Sequence, residues 1–246
     1  MLQFFYFNIL WLLAGFVTGI TSFGGNLLAI PLIALVLPPR EAILYGCISG
    51  AAVFLGVTLP YLKQIIWRET VILSLVTFPG IPFGIWFLAN AGPGALLLAA
   101  GASLASFLSW QFIGMRLDRR QNPVPIWAAI PFGFISGIMM SAVGMGGPPL
   151  VLYAFLRHWQ KEETIATVNM VSVVIMLVVV PWQHGAGLFT PQILKMGAIG
   201  ALFGFIGIAA SIPVLHRMNI ALFRRLLLAM LSFSAIVLVA RGISAL

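Results

Sequence analysis

Long apolar stretches, separated by short clusters of charged residues, proline and glycine, run the length of the chain. The apolar stretches cover about residues 3–37, 42–62, 70–89, 95–115, 124–156, 164–182, 191–215 and 220–240. A helix needs about 20 apolar residues to cross the hydrocarbon core of a bilayer. The pattern therefore predicts an all-α integral membrane protein with eight hydrophobic segments, forming a single membrane domain over residues 1–246.

The chain also repeats internally. Three pairs of segments match: 15–20 with 133–138, 22–25 with 144–147, and 96–99 with 226–229. The offset is 118 residues for the first pair and 122 for the second. The second copy therefore carries about one extra helical turn between its two motifs. The repeats are predicted to cover about residues 1–122 and 123–246.

The first apolar stretch of each repeat is too long for one membrane crossing. A helix of about 35 residues would be about 52 Å long, against a hydrocarbon core of about 30 Å. Each stretch contains adjacent glycines, Gly24-Gly25 and Gly146-Gly147, and glycine weakens a helix interior. Two arrangements remain open: a broken helix that still crosses, or a hairpin that turns at the glycines and returns.

The distribution of basic residues favours the hairpins. If both stretches cross, the 13 Lys and Arg residues divide seven to six between the two sides. If both are hairpins, ten share one side, with only Arg40, Lys195 and Arg241 opposite. Cytoplasmic loops carry the excess of basic residues. We therefore predict two inverted-topology repeats, each a glycine-broken re-entrant hairpin plus three transmembrane helices, with both termini on the non-cytoplasmic side of the membrane.

Composition excludes several classes of protein. Apolar residues make up 61% of the chain and charged residues 7%, whereas soluble domains average about 45–50% and about 25%. Basic residues form no single patch, so the net charge of +8 is assigned to membrane orientation and not to nucleic acid. No acid–base, metal-ligand or nucleotide-binding pattern is present. We expect no enzyme activity, no cofactor and no metal site.

The two glycine turns are the candidate solute site. Non-helical backbone at membrane depth survives only where it is buried in protein or lines a polar cavity. The second limb of each hairpin begins with free N–H groups and a positive dipole end, which favours an anion. The first limbs end nearby with negative dipole ends, which weakens that preference. The candidate residues are Ser22, Phe23, Gly24, Gly25, Asn26, Ser49, Ser141, Gly144, Met145, Gly146, Gly147 and Asn169.

Other glycines have a simpler explanation. Several occur in pairs four residues apart: Gly15/Gly19, Gly46/Gly50, Gly80/Gly84, Gly133/Gly137 and Gly200/Gly204. Small residues at this spacing let membrane helices approach closely. We interpret these pairs mainly as packing positions.

These motifs resemble the sulfite exporter TauE/SafE family of bacterial membrane permeases. The matching parts are the repeated motif at 15–25 and 133–148 and the charged turns at 38–41 and 161–164. The resemblance implies transport of sulfite, a sulfonate such as sulfoacetate, thiosulfate or another small organic anion across a bacterial inner membrane. The extra turn between Gly137 and Gly144 makes the two halves of any site unequal.

The sequence is thus interpreted as a secondary transporter that moves a small, sulfur-containing anion by alternating access. Its expected partners are this anionic solute and the lipid bilayer, with no nucleic acid, and the glycine-rich faces leave room for a homo-oligomer. Two alternatives remain. One is a passive anion channel built on the same hairpins, and the other is a membrane subunit that serves another protein without transporting anything itself.

Overall fold

A computed structural model describes residues 2–22, 24–114, 123–215 and 220–245. The regular structure in these residues is helical throughout. The helices are α1 Leu2–Thr21, α2 Gly25–Ile33, α3 Pro39–Thr58, α4 Trp67–Thr77, α5 Ile81–Asn90, α6 Pro93–Gly114, α7 Ala129–Val143, α8 Gly147–Leu156, α9 Lys161–Gly185, α10 Pro191–Leu215 and α11 Ile220–Ser244. Short 3-10 helices extend α3 (Leu59–Gln64), join α4 to α5 (Phe78–Gly80) and precede α7 (Ile126–Ala128).

Several helices are suited to a membrane. Within the described residues, five are long and apolar enough to cross one: Pro39–Gln64, Trp67–Asn90, Ile126–Val143, Lys161–Gly185 and Pro191–Pro213. Large apolar side chains also lie on the outer surface, where Trp86, Leu177 and Phe233 are each about two-thirds exposed. Such a surface suits lipid and not water. The prediction of an all-α membrane protein is confirmed.

Each long opening stretch turns back on itself. The Tyr6 hydroxyl, at the start of α1, donates to the Leu32 carbonyl near the end of α2 over 3.0 Å. In one continuous helix these two residues would be separated by about 39 Å. The Val124 N–H likewise donates to the Leu156 carbonyl at the end of α8, over 3.1 Å. We call these pairs the α1–α2 hairpin and the α7–α8 hairpin.

The turns form at residues with a left-handed backbone. Gly24 has φ +100° and Gly144 has φ +72°, while Ser22 has φ +64°. A left-handed residue commonly ends a helix, and glycine adopts it without a steric penalty. At the end of α7, the Gly144 N–H donates to the Met140 carbonyl over 3.0 Å, which is the helix-ending bond of the αL motif. The glycine motifs therefore stop each first limb and let the chain reverse.

The two hairpins open toward opposite ends of the helix bundle. Arg40, at the start of α3, donates to the Ala89 carbonyl at the end of α5 over 3.0 Å, and this end holds the open side of the α1–α2 hairpin. Arg157, after α8, contacts Glu69 at the start of α4, and this end holds the open side of the α7–α8 hairpin. Helices α3 and α4–α5 connect the two ends. The turns of both hairpins consequently meet inside the bundle.

The first helix of each hairpin packs against helices from the other half of the chain. Helix α1 lies along α10, and α7 lies along α4 and α5, while α3 pairs with α9 and α6 with α11. The approach is close because glycines lie at the contacts. A Cβ on Gly15 would overlap the Gly204 carbonyl, and a Cβ on Gly137 would overlap the Thr77 carbonyl. The packing role predicted for these glycine pairs is confirmed.

A buried ion pair closes the open side of the α7–α8 hairpin, and no sequence pattern indicated it. Glu69 is 3% exposed and accepts hydrogen bonds from the Tyr153 hydroxyl at 2.7 Å and from Arg157 Nη2 at 2.6 Å. Arg157 Nη1 also donates to the Val124 carbonyl over 2.8 Å. Both ends of the hairpin are thereby tied to α4.

Candidate functional site

A small cavity lies where the two turns meet. Its volume is about 30 Å³, which has room for one or two water molecules. It is lined by Gly24, Asn26, Leu27, Phe54, Phe107, Gly144, Met145, Gly146, Gly147, Pro148, Val151, Val168, Asn169 and Ser172. Both hairpins contribute, together with α3, α6 and α9. None of these described lining residues has a charged side chain.

Seven of the twelve residues proposed from the sequence lie at this cavity. They are Gly24, Asn26, Gly144, Met145, Gly146, Gly147 and Asn169. Ser22 lies beside it, with its carbonyl bonded to Asn169. Gly25 begins α2 but packs against Thr18 and Val53. Phe23 lies outside the described residues.

Ser49 and Ser141 are not brought to the cavity. The Ser49 hydroxyl donates to the Gly197 carbonyl over 2.9 Å and ties α3 to α10. The Ser141 hydroxyl donates to the Gly137 carbonyl of its own helix over 2.7 Å, and lies 3.1 Å from the Ile81 carbonyl of α5. Both hydroxyls thus donate to helix carbonyls in this structure, and a role for them in orienting a solute stays a prediction.

Buried side chains bond the carbonyl oxygens around the turns. Five pairs do so: Asn169 Nδ2 to Ser22 O (3.1 Å), Asn26 Nδ2 to Gly144 O (2.8 Å), Ser103 Oγ to Met145 O (3.1 Å), Ser136 Oγ to Gly146 O (2.7 Å) and Gln183 Nε2 to Ser141 O (3.2 Å). The negative ends of the first limbs are thereby compensated. The negative dipole ends of the first limbs therefore weaken the preference for an anion much less than the sequence predicted.

The N–H groups at the starts of the second limbs, unlike these carbonyl oxygens, have no side-chain partners. No side chain caps the start of α2 or of α8. The first bond of α2 runs from the Leu28 N–H to the Gly24 carbonyl, so the N–H groups of Gly25, Asn26 and Leu27 precede the helical ladder. In α8, Pro148 follows Gly147 and has no N–H to offer. The bonded backbone carbonyls beside uncapped backbone N–H groups favour an anion, more on the α2 side than on the α8 side.

The cavity includes residues that the sequence analysis missed. Ser172 lies three residues after Asn169 on α9, so helical spacing could have placed it on the same face. Phe54 of α3 and Phe107 of α6 also line the cavity. No sequence signal marked the two phenylalanines, since isolated aromatic residues are common in apolar membrane segments.

The described residues contain no group of three or more His, Cys, Asp or Glu side chains that could hold a metal ion. What the arrangement offers is recognition by backbone donors in an apolar enclosure. Such a site can bind and release an anion.

Comparison with known proteins gives one family. The family model described as sulfite exporter TauE/SafE matches residues 7–238, which is nearly the whole chain. No curated protein and no solved structure gives a significant match. The family is one of membrane transporters named for sulfite export, and several helices here are long enough to cross a membrane. The chain is thus a multi-pass membrane protein that belongs to the sulfite exporter TauE/SafE family.

Proposed function

We propose that the protein is a secondary transporter of a small, sulfur-containing anion in a bacterial inner membrane. The solute binds between the two turns, where the N–H groups at the starts of α2 and α8 hold its oxygens. The observation that carries this proposal is the pairing pattern at the cavity. Carbonyl oxygens there are bonded by Asn26, Asn169 and serine hydroxyls, whereas the helix starts have no caps.

The proposed architecture is a pair of inverted repeats, residues 1–122 and 123–246, each with a re-entrant hairpin. Two contacts support it: Arg40 with the end of α5 at one end of the bundle, and Arg157 with Glu69 at the other. The exchanged packing of α1 on α10 and of α7 on α4–α5 is what a pseudo-two-fold axis would produce. Both termini then lie on the non-cytoplasmic side.

Alternating access follows from this arrangement. A cavity of about 30 Å³ is too small for a sulfonate, so the turns must separate to admit one. Because the hairpins enter from opposite ends, rocking one repeat against the other would open the site first to one side and then to the other.

A substitution at Gly147 tests the site with the least disturbance of the surrounding packing. It lines the cavity, and a Cβ there meets no atom within 4 Å. The Cβ of Gly147→Val therefore enters open space at the cavity, and the valine reduces the room for a solute. We expect flux of labelled sulfite into liposomes to fall at least about tenfold, with the yield and melting temperature of the purified protein unchanged. Gly185→Val is the matched control, because a Cβ at Gly185 is also unhindered but lies away from the cavity.

Gly25 is a poor choice for the same test. A Cβ on Gly25 would lie 2.7 Å from Thr18 Oγ1 and 3.3 Å from Val53 Cγ1. Loss of transport in Gly25→Val would therefore report damaged packing as readily as a blocked site. Wild-type flux in Gly147→Val would refute the proposed site.

A further inference from the structure

We infer that the site accepts anions with a single negative charge and rejects those with two. This inference rests on the proposed function and narrows its substrate class. Among the sulfur anions that the family resemblance allows, it selects hydrogensulfite and simple sulfonates. It rejects doubly charged sulfite, thiosulfate and sulfoacetate.

The first observation behind the inference is the absence of charge among the described residues that line the cavity. Their polar side chains are Asn26, Asn169 and Ser172. The hydrogens of all three are already used inside the protein, since Ser172 Oγ donates to the Val168 carbonyl and both asparagine amides donate to carbonyl oxygens. Only backbone N–H groups remain to bind a solute.

The second observation is an acceptor without a partner. Asn26 is 3% exposed and lies at the cavity wall, with its amide against Gly50 of α3. Its Nδ2 makes two hydrogen bonds, but its Oδ1 makes none. The partial negative charge of Oδ1 is therefore uncompensated beside the site. It opposes each further negative charge on the solute.

The free energy of dehydration and the attraction to backbone dipoles depend differently on the charge of the solute. The free energy lost when an ion leaves water grows with the square of its charge, so a dianion loses about four times as much as a monoanion. The attraction to fixed backbone dipoles grows only in proportion to the charge, so it about doubles. A site with no cationic side chain cannot make up the difference, and the mostly apolar wall of Leu27, Phe54, Phe107, Val151 and Val168 offers no further compensation.

The starts of α2 and α8 also differ in the number of N–H donors that they offer to a second anionic group. Pro148 at the start of α8 leaves that helix with fewer N–H donors than α2. A second anionic group that reached toward α8 would therefore find little to replace its lost hydration. The start of α2 therefore supplies most of the N–H donors for one oxyanion, and the start of α8 supplies fewer.

The experiment uses the purified full chain in liposomes and two competitors of similar length. Sulfoacetate carries two negative charges at neutral pH, and 2-hydroxyethanesulfonate carries one. We expect 2-hydroxyethanesulfonate to inhibit the exchange of labelled sulfite at a concentration at least about tenfold lower than sulfoacetate, and thiosulfate to compete as poorly as sulfoacetate. Equal or stronger competition by either dianion would overturn the inference while leaving anion transport itself intact.

A second arm uses the titration of the substrate. Sulfite flux is divided by the flux of methanesulfonate, whose single charge does not change near neutral pH, at a slightly acidic and a slightly alkaline pH. The ratio should fall as the pH rises, because hydrogensulfite is converted to the dianion. A ratio that stays constant or rises contradicts the inference. If neither sulfite nor any sulfonate is transported, the proposed function itself fails.

Discussion

Replacing Asn26 with leucine tests whether the carbonyl pairing at the turns holds the site together. Asn26 Nδ2 donates to the Gly144 carbonyl at 2.8 Å and to the Gly46 carbonyl at 3.3 Å. One amide thus joins the start of α2 both to the turn of the α7–α8 hairpin and to α3. Leucine has the same branched arrangement of side-chain heavy atoms but no hydrogen to donate.

The expected loss can be estimated from these bonds. A buried carbonyl left without a partner costs about 1–3 kcal/mol, and Gly144 O bears most of this cost because its bond is the shorter. Removal of the unpartnered Asn26 Oδ1 offsets part of this free-energy cost. We expect Asn26→Leu to lower the free energy of unfolding by about 1–2 kcal/mol. For a domain of this size that lowers the melting temperature by roughly 2–8 °C.

Asn8 provides a matched control on α1. It is also 3% exposed, but neither its Nδ2 nor its Oδ1 has a hydrogen-bond partner. Asn8→Leu removes an uncompensated buried amide, so the free energy of unfolding should stay the same or rise by about 1–2 kcal/mol. Both variants are purified in one detergent, and their melting temperatures are compared by intrinsic fluorescence.

The difference between the two variants is the decisive quantity. We expect Asn8→Leu to melt above Asn26→Leu, and sulfite flux in liposomes to fall only in Asn26→Leu. Equal melting temperatures, or a lower one for Asn8→Leu, would refute the view that Asn26 holds the two turns together.

Three further predictions follow from the packing and the topology. Glu69→Gln leaves the partly buried Arg157 without its counter-ion and should lower the free energy of unfolding by about 1–3 kcal/mol, whereas the exposed Glu162→Gln should change it little; equal melting temperatures would argue against the ion pair. Gly15→Ala places a methyl group on a carbonyl of α10 and should cost about 1–3 kcal/mol, while Gly92→Ala, whose Cβ meets nothing, should melt like the wild type. Alkaline phosphatase fused after Leu246 should be active and a green fluorescent protein fusion dark, and the reverse would contradict the proposed orientation.

The turns could be predicted from the sequence because their causes are local. Adjacent glycines at Gly24 and Gly146 mark places where a helix is weak, and the count of basic residues selects a reversal over a crossing. The reversals in the structure follow these signals. Asn26, beside the first glycine motif, and Asn169, on the helix that follows the second hairpin, both line the cavity between the turns.

Other features depend on packing that the sequence does not reveal. A serine in a helix can bond its own carbonyl, a neighbouring helix or a solute, and only tertiary contacts show that Ser49 and Ser141 take the first two options. Glu69 and Arg157 are 88 residues apart, so no spacing rule links them. Phe107 reaches the cavity only through the packing of α6 beside the α7–α8 hairpin.

The most direct test of the central claim is counter-exchange of labelled sulfite by the purified chain alone in liposomes. A carrier that alternates between two sides predicts uptake that saturates with external sulfite and accelerates when unlabelled sulfite is loaded inside. Uptake that rises linearly with concentration, without acceleration from the inside, would indicate a channel and contradict the account. No uptake above that of empty liposomes would contradict transport altogether.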